Sequence, residues 1–586
     1  METQKLGPVL VLLLGAFACN MTGVCTLDTD CLPQNSFCYV GKHAKPGARG
    51  VCVYGAPTTE AKITAWRLLL PNQQEEVAPF KWDKQEVEAG WENAEALWVG
   101  MAEAVVEVEV VGLEPSQALK VWTDHGVNAV CQPPAERKRA GELWTCTFQE
   151  GWAASALAAP TITVKVQAGE GEAREREYRL LCSHNLSGLV GEPFRHPLAM
   201  SGKRLLLSSS SGDKPDMPTA NNSLYVFDTA ACSWVGSLHT GTVQGTMVAL
   251  GDTGRVAVAI GNHGPEGRKG QRLSMVNVSA EEPSFMDSEE CRQEADSGVV
   301  FNQGLSLLNF PNVLDTSWRL AAPANHVEPG RTRLVAYMPD AESAGCVSSS
   351  PIESPFRTPL SQDPDNKAVV GIYGDAGVWI RGWVFNEAKG EWAEDGPPPR
   401  KLEASIAHVS ALAVVKQNFW VRDLSFESPV AVDSQGRVYL AVKPDGSEAY
   451  HLQREIPVLG LENEGSIDAN STPFEGAPVG SPLLGEPLPG EEARVYVVTT
   501  AGKVLAYGVD LGEPVWTYNL GVGIAPSAQP VLSGDTLWVV GARGEIRGLR
   551  VGGGGLHRTA QWPKAFHDNC NTSSHIATWD SLPGCF

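Results

Sequence analysis

The sequence predicts a mainly β protein of several domains, on three observations. Short β-branched and aromatic runs separated by Gly, Asp and Pro turns recur along the chain, and period-2 alternation marks one long stretch. A length of 586 residues, with 60 Gly and 40 Pro, exceeds what one ordinary core organises. The clearest runs say nearly the same thing twice. Arg494-Val-Tyr-Val-Val-Thr499, a turn at Thr500-Ala-Gly502 and Lys503-Val-Leu-Ala-Tyr507 are echoed by Thr536-Leu-Trp-Val-Val540, a turn from Gly541 to Gly544 and Glu545-Ile-Arg-Gly-Leu549. Tyr496 to Trp538 and Gly502 to Gly544 are both 42 positions apart. A self-similar unit of roughly 40 to 50 residues holding three or four strands predicts a propeller blade.

The N-terminus (1–18) reads as a signal peptide. Lys5 precedes an apolar run from Leu6 to Ala18 that is too short to span a bilayer and ends in a small-x-small site. Cleavage after Ala18 places Cys19 where a bacterial lipoprotein carries its lipid, although Ala16 and Phe17 depart from the usual lipobox. Of 13 cysteines, reserving Cys19 for lipid leaves twelve to pair in an oxidising compartment. Four lie in a cysteine-rich module (19–55): Cys25, Cys31, Cys38 and Cys52. The others fall into neighbours: Cys131 with Cys146, Cys182 with Cys232, Cys291 with Cys346, Cys570 with Cys585. Spacing alone does not fix connectivity. Zinc is the rival for the module, but no Cys-x2-Cys pair or His ligand accompanies it.

Between 61 and 182, Val106, Val108 and Val110 alternate with Glu107 and Glu109, and Ile162, Val164 and Val166 alternate with Thr163 and Lys165. Such alternation means strands with one buried and one wet face, and an immunoglobulin-like β-sandwich fits the length. Cys131 and Cys146 are too close for an inter-sheet bridge and are expected to staple a hairpin or loop. From 188 to 560 the blade pattern returns at 197–234, 247–276, 368–392 and 428–452, while 286–345 and 400–425 are blurred. Seven blades are expected, with eight as the alternative, followed by a disulfide-pinned tail (561–586).

Val504-Leu-Ala-Tyr507 with Gly512-Glu-Pro-Val-Trp516, and more loosely Leu224-Tyr-Val-Phe-Asp228 with Trp234, carry a family resemblance. The sequence resembles the PQQ-repeat, or quinoprotein dehydrogenase-like, β-propeller superfamily in an exported bacterial lipoprotein context. Gln561-Trp-Pro-Lys-Ala-Phe-His567-Asp568 looks like a segment found beside such repeats, and the resemblance implies that this tail helps close the ring. It also implies an alternative function, a quinone-dependent periplasmic alcohol or sugar dehydrogenase using pyrroloquinoline quinone with calcium. The adjacent cysteines that often form a ring beneath that cofactor do not occur, and no Cys-x-x-Cys-His haem site does either.

No nucleophile is nominated. Gly-x-Ser-x-Gly, His-Glu-x-x-His and Walker motifs are missing from the sequence. Asp252, Asp375 and Asp433 stand where hairpin turns need them, and His567-Asp568 reads first as a turn. A net charge of -22 argues against nucleic acid. What remains is binding. The turns at Ser208–Asn222 and Gly261–Gly270 are longer than that at Thr500–Gly502, and equivalent turns emerge on one face of a propeller. Candidate contacts are Asp213, Lys214, Asp216, His263, Glu266 and Arg268. The expectation is an exported, lipid-anchored, non-enzymatic binding or scaffold protein without a cofactor, in the outer membrane or periplasm or at the cell surface. Its partner is expected to be a protein or polysaccharide of the cell envelope.

Overall fold

The computed structural model describes residues 24–25, 36–39, 50–54, 61–69, 96–99, 104–113, 117–134, 142–149, 161–186, 197–208, 223–261, 271–292, 299–309, 318–340, 345–362, 368–373, 378–386, 389, 391–393, 400–402, 413–415, 418–420, 428–457, 465–487, 492–572 and 582–586, apart from isolated one- or two-residue gaps. Every element among them is a strand, save one short 3-10 turn at Pro583–Cys585. Two compact units divide the chain, Met1–Leu180 and Leu181–Phe586.

In the first unit, Lys62–Leu69, Ala104–Val111, Glu142–Phe148 and Val130–Gln132 form one antiparallel sheet in that order. Leu119–Thr123 and Thr161–Ala168 pair in a second, joined by Arg174–Arg179. Val106, Val108, Val110, Trp144 and Phe148 of the first share a core with Val121, Ile162, Val164 and Val166 of the second. The alternation in the sequence is thus the alternation of burial: along Glu142–Phe148 every second residue is buried. Cys131 and Cys146 stand opposite one another on neighbouring strands of one sheet and are disulfide-bonded. Near the N-terminus, Val24–Cys25, Gly50–Tyr54 and Ser36–Tyr39 pair as a three-stranded sheet. The side chains of its cysteines, and Cys19, lie outside the described residues.

The second unit is a succession of antiparallel sheets, each taken in chain order from its first strand. Sheet one holds Ala199–Ser201, Arg204–Ser208, Ser223–Asp228 and Ser233–His239; sheet two holds Val248–Ala249, Arg255–Ile260, Arg272–Asn277 and Ser284–Arg292. Sheet three runs from Ser306–Asn309 through Arg319–His326 and Arg333–Met338 to Gly345–Ser348, and sheet four from Ser361–Gln362 through Ala368–Tyr373 and Val378–Asn386 to Glu391–Ala393. Ala413–Val415 and Asn418–Trp420 pair as sheet five. Sheet six comprises Ala431–Val432, Val438–Val442, His451–Pro457 and Gly465–Asn470; sheet seven comprises Leu483–Gly485, Arg494–Val498, Lys503–Gly508 and Trp516–Asn519. Sheet eight takes Val531–Ser533, Thr536–Val540 and Glu545–Arg550 from one end of the unit and its fourth strand, Leu181–Asn185, from the other.

First strands lie side by side in sheets one and two, three and four, four and five, and six and seven, and that of sheet eight neighbours that of sheet one. Apolar cores sit between consecutive sheets. Phe227 and Leu205 of sheet one pack with Trp538 and Val540 of sheet eight, and Tyr439 and Leu452 of sheet six pack with Val495 and Tyr507 of sheet seven. Repeating units that bury their faces only against neighbours are what a propeller requires. Tyr496, Tyr507, Trp516 and Trp538 are all buried, whereas Trp234 is 39 % exposed on an outer strand.

The blurred stretch 286–345 contains sheet three. Its second strand, Arg319–His326, carries Pro323 opposite Leu334, and proline in a strand erases the usual signature. Two disulfides join neighbouring sheets, Cys182–Cys232 between eight and one and Cys291–Cys346 between two and three. Arg454 of sheet six pairs with Asp468 and reaches Val509 O at 2.7 Å and Asp510 at 3.2 Å beside sheet seven. Replacing it as Arg454→Met is expected to cost about 1–3 kcal/mol, read as a lower denaturant midpoint.

Sheets two and three touch backbone to backbone at Thr246 and Gly304. Gly304 has φ +76°, and a Cβ there would overlap the Thr246 nitrogen. Gly304→Ala is therefore expected to destabilise by about 2–4 kcal/mol in thermal unfolding, from left-handed strain plus steric overlap.

The closing strand also titrates. Burial lowers the pKa of His184, whose ring lies 5.5 Å from that of Phe227. Because the unfolded chain binds the proton more tightly, stability falls as pH drops through the ordinary imidazole range near 6.5. His184→Phe should flatten that acid limb in unfolding curves measured between pH 8 and 5.

Candidate functional site

The densest cluster of polar side chains in the described second unit is made by the tail, at the hub where the first strands meet. Trp562 exchanges two backbone hydrogen bonds with Val432 of sheet six, and Leu484 of sheet seven donates to Pro563 O. Asn569 uses its side chain as a surrogate strand residue: Nδ2 donates to Leu532 O at 2.6 Å and Oδ1 accepts from Leu532 N at 3.1 Å. Met200 of sheet one donates to Asn569 O, Ala249 of sheet two to Cys570 O, and Leu307 of sheet three to Thr572 O. Eleven residues thus satisfy first strands of six sheets and cross the seam between sheets eight and one.

This path needs two reversals. His567 and Asn571 have φ of 74° and 57°, and Asn is among the residues that tolerate this left-handed region best. Asp568 organises what lies between. Its Oδ1 accepts from the N–H of Cys570 at 2.9 Å and of Thr572 at 3.2 Å, while Oδ2 accepts from the Thr572 hydroxyl and faces His567 Nδ1 at 3.0 Å. The His567 ring is edge-on to Trp562 and Phe586, and Cys570–Cys585 ties the segment to the chain end.

Lys564 lies wholly inside this cluster, donating to Asp568 O and to Asn571 Oδ1, both at 3.2 Å. Burial pushes its pKa down to about 8 against the opposing pull of Asp568. Lys564, His567, Asp568, Asn569, Asn571 and Thr572 are all at most 2 % exposed. Their polar atoms serve the chain itself.

The hub's side chains bear on two cofactor readings. Asp568, Cys570 and Cys585 lie close enough to share a cation, but both sulfurs are in the disulfide and are not thiolates. The residues do not fit a quinone with calcium either. Both oxygens of Asp568 are engaged, and Asn569 and Asn571 direct their amides at Leu532 and Leu198.

Four disulfides among the described residues join the neighbours that the spacing suggests, and such bonds belong to an oxidising compartment. Asp433 is the turn residue its position implies, capping Gln435 and Arg437. Asp213, Lys214, Asp216, His263, Glu266 and Arg268 lie outside the described residues. Their segments do join second to third strands, in sheets one and two. Lys564, Asn569, Asn571 and Thr572 lie in the tail segment that the resemblance marked, but none was singled out as a site residue. Their signal is an unusual run of hydrogen-bonding side chains, His567 to Thr572, beside a tryptophan and a cysteine.

The chain matches no known family profile and no curated protein. Solved structures similar to it include a computationally designed protein, Ika8, at 10% identity and TM-score 0.31, covering 66% of this chain and 92% of that one. BBS1N, solved in complex with ARL6DN, is similar at 12% identity and TM-score 0.34, covering 63% and 97%. BamB from Moraxella catarrhalis is similar at 9% identity and TM-score 0.34, covering 60% and 93%. The architecture described above rests on strand pairing and not on these likenesses.

Proposed function

We propose that the protein is an exported binding or scaffold protein: an immunoglobulin-like sandwich and a PQQ-like propeller, eight-bladed where the sequence favoured seven, lipid-anchored through Cys19 at the outer membrane or in the periplasm. The observation that carries this reading is the hub. With its axis filled by its own tail and its seam bridged, the second unit is suited to present loops from a rigid ring. A protein or polysaccharide ligand of the cell envelope would meet the face bearing the long turns of sheets one and two.

The test uses the full mature chain as bait on envelope extracts, beside a variant with Lys214→Glu and Arg268→Glu. Capture of a defined ligand that the variant loses is expected; identical capture by both sinks the assignment of the face. Palmitate labelling abolished by Cys19→Ala is expected for the anchor. Dye reduction with alcohols or sugars after adding pyrroloquinoline quinone and calcium would instead establish the dehydrogenase alternative.

A further inference from the structure

We propose that the hub is the site of a self-catalysed covalent modification, an amide cross-link between the Lys564 side-chain nitrogen and the Asn571 side-chain carbonyl carbon. The two groups are already in contact, with Nζ 3.2 Å from Oδ1. Asn571 is held for the reaction rather than free to turn, because Nδ2 donates to Leu198 O at 3.0 Å. Nζ is held in turn by Asp568 O. Both side chains are wholly buried, so water does not compete for the acyl carbon.

The step needs no oxidant and no cofactor. The Nζ lone pair attacks Cγ of Asn571, and a tetrahedral intermediate forms. Its bond to Nδ2 breaks while a proton passes from Nζ to the departing nitrogen, which leaves as ammonia. Asp568 is the charged neighbour acting on the amine, with His567 hydrogen-bonded to it. Burial supplies the neutral nucleophile: with the amine titrating at about 8, a useful fraction is unprotonated near neutrality, unlike an exposed lysine.

The sequence offers a direct readout. Within 559–586, Lys564 is the single tryptic position. Trypsin does not cut at an acylated lysine, so denatured, reduced protein is expected to yield peptide 559–586 uncut and lighter by one ammonia. Fragment spectra should show Lys564 joined to Asn571. Separate peptides 559–564 and 565–586 with no loss of mass overturn the proposal. So does a loss of ammonia with cleavage intact, which is a succinimide at Asn571.

In Lys564→Arg, cleavage at this position should return and the mass loss vanish; persistence of the loss assigns it elsewhere and overturns the proposal. If that variant does not fold, the wild-type peptide map still decides. Wild-type chain synthesised in denaturant-solubilised form, before any cross-link has formed, and then folded at pH 6 should cross-link at least tenfold more slowly than at pH 9, following the neutral fraction of the amine. Equal rates overturn the assignment of Lys564 as nucleophile.

Discussion

Removing residues 561–586 is expected to abolish cooperative folding of the second unit. Six first-strand N–H groups, of Val432, Leu484, Leu532, Met200, Ala249 and Leu307, lose their acceptors together, and the buried Trp562 is lost with them. Water would enter the vacated axis and restore part of the hydrogen bonding. The remaining loss is on the order of 5–10 kcal/mol, comparable with the whole stability of a typical domain. Thermal unfolding with parallel limited proteolysis reads this directly. An unchanged midpoint, with sheets one and eight still protected, would show that the tail merely fills space.

Asp568→Ala should be the most damaging single substitution in the tail, at about 3–5 kcal/mol. It strands the N–H groups of Cys570 and Thr572 and the Thr572 hydroxyl where no solvent reaches. Asp568→Asn is expected to lose less, since one oxygen can still cap both N–H groups. Chemical denaturation of the three proteins ranks them. If alanine and asparagine cost the same, the turn is held by Cys570–Cys585 and not by the carboxylate.

Much of the strand architecture was legible because hairpins announce themselves locally. Arg494–Val498 with Lys503–Gly508, and Thr536–Val540 with Glu545–Arg550, are contiguous in sequence and joined by Gly turns. The fourth strand of sheet eight was not legible. Leu181–Asn185 reads naturally as the end of the preceding alternating stretch, and nothing local announces Glu545–Leu549 as its partner. The hub was half legible. Cysteine spacing and the Trp-Pro-Lys-Ala-Phe-His-Asp segment marked the tail, but the pairing of Asn569 with Leu532 is set by tertiary placement.

The strand at Leu181–Asn185 carries a kinetic consequence. Its ladder and the Arg547–Ser183 hydrogen bond close a loop of 364 residues. Contacts of such sequence separation form late, because the entropy of closing the loop is lost before the contact is gained. Until then the outer edge of Glu545–Arg550 stands open to pairing with another chain. A protein built this way should depend, more than its finished form suggests, on low local concentration or a holding chaperone between export and closure.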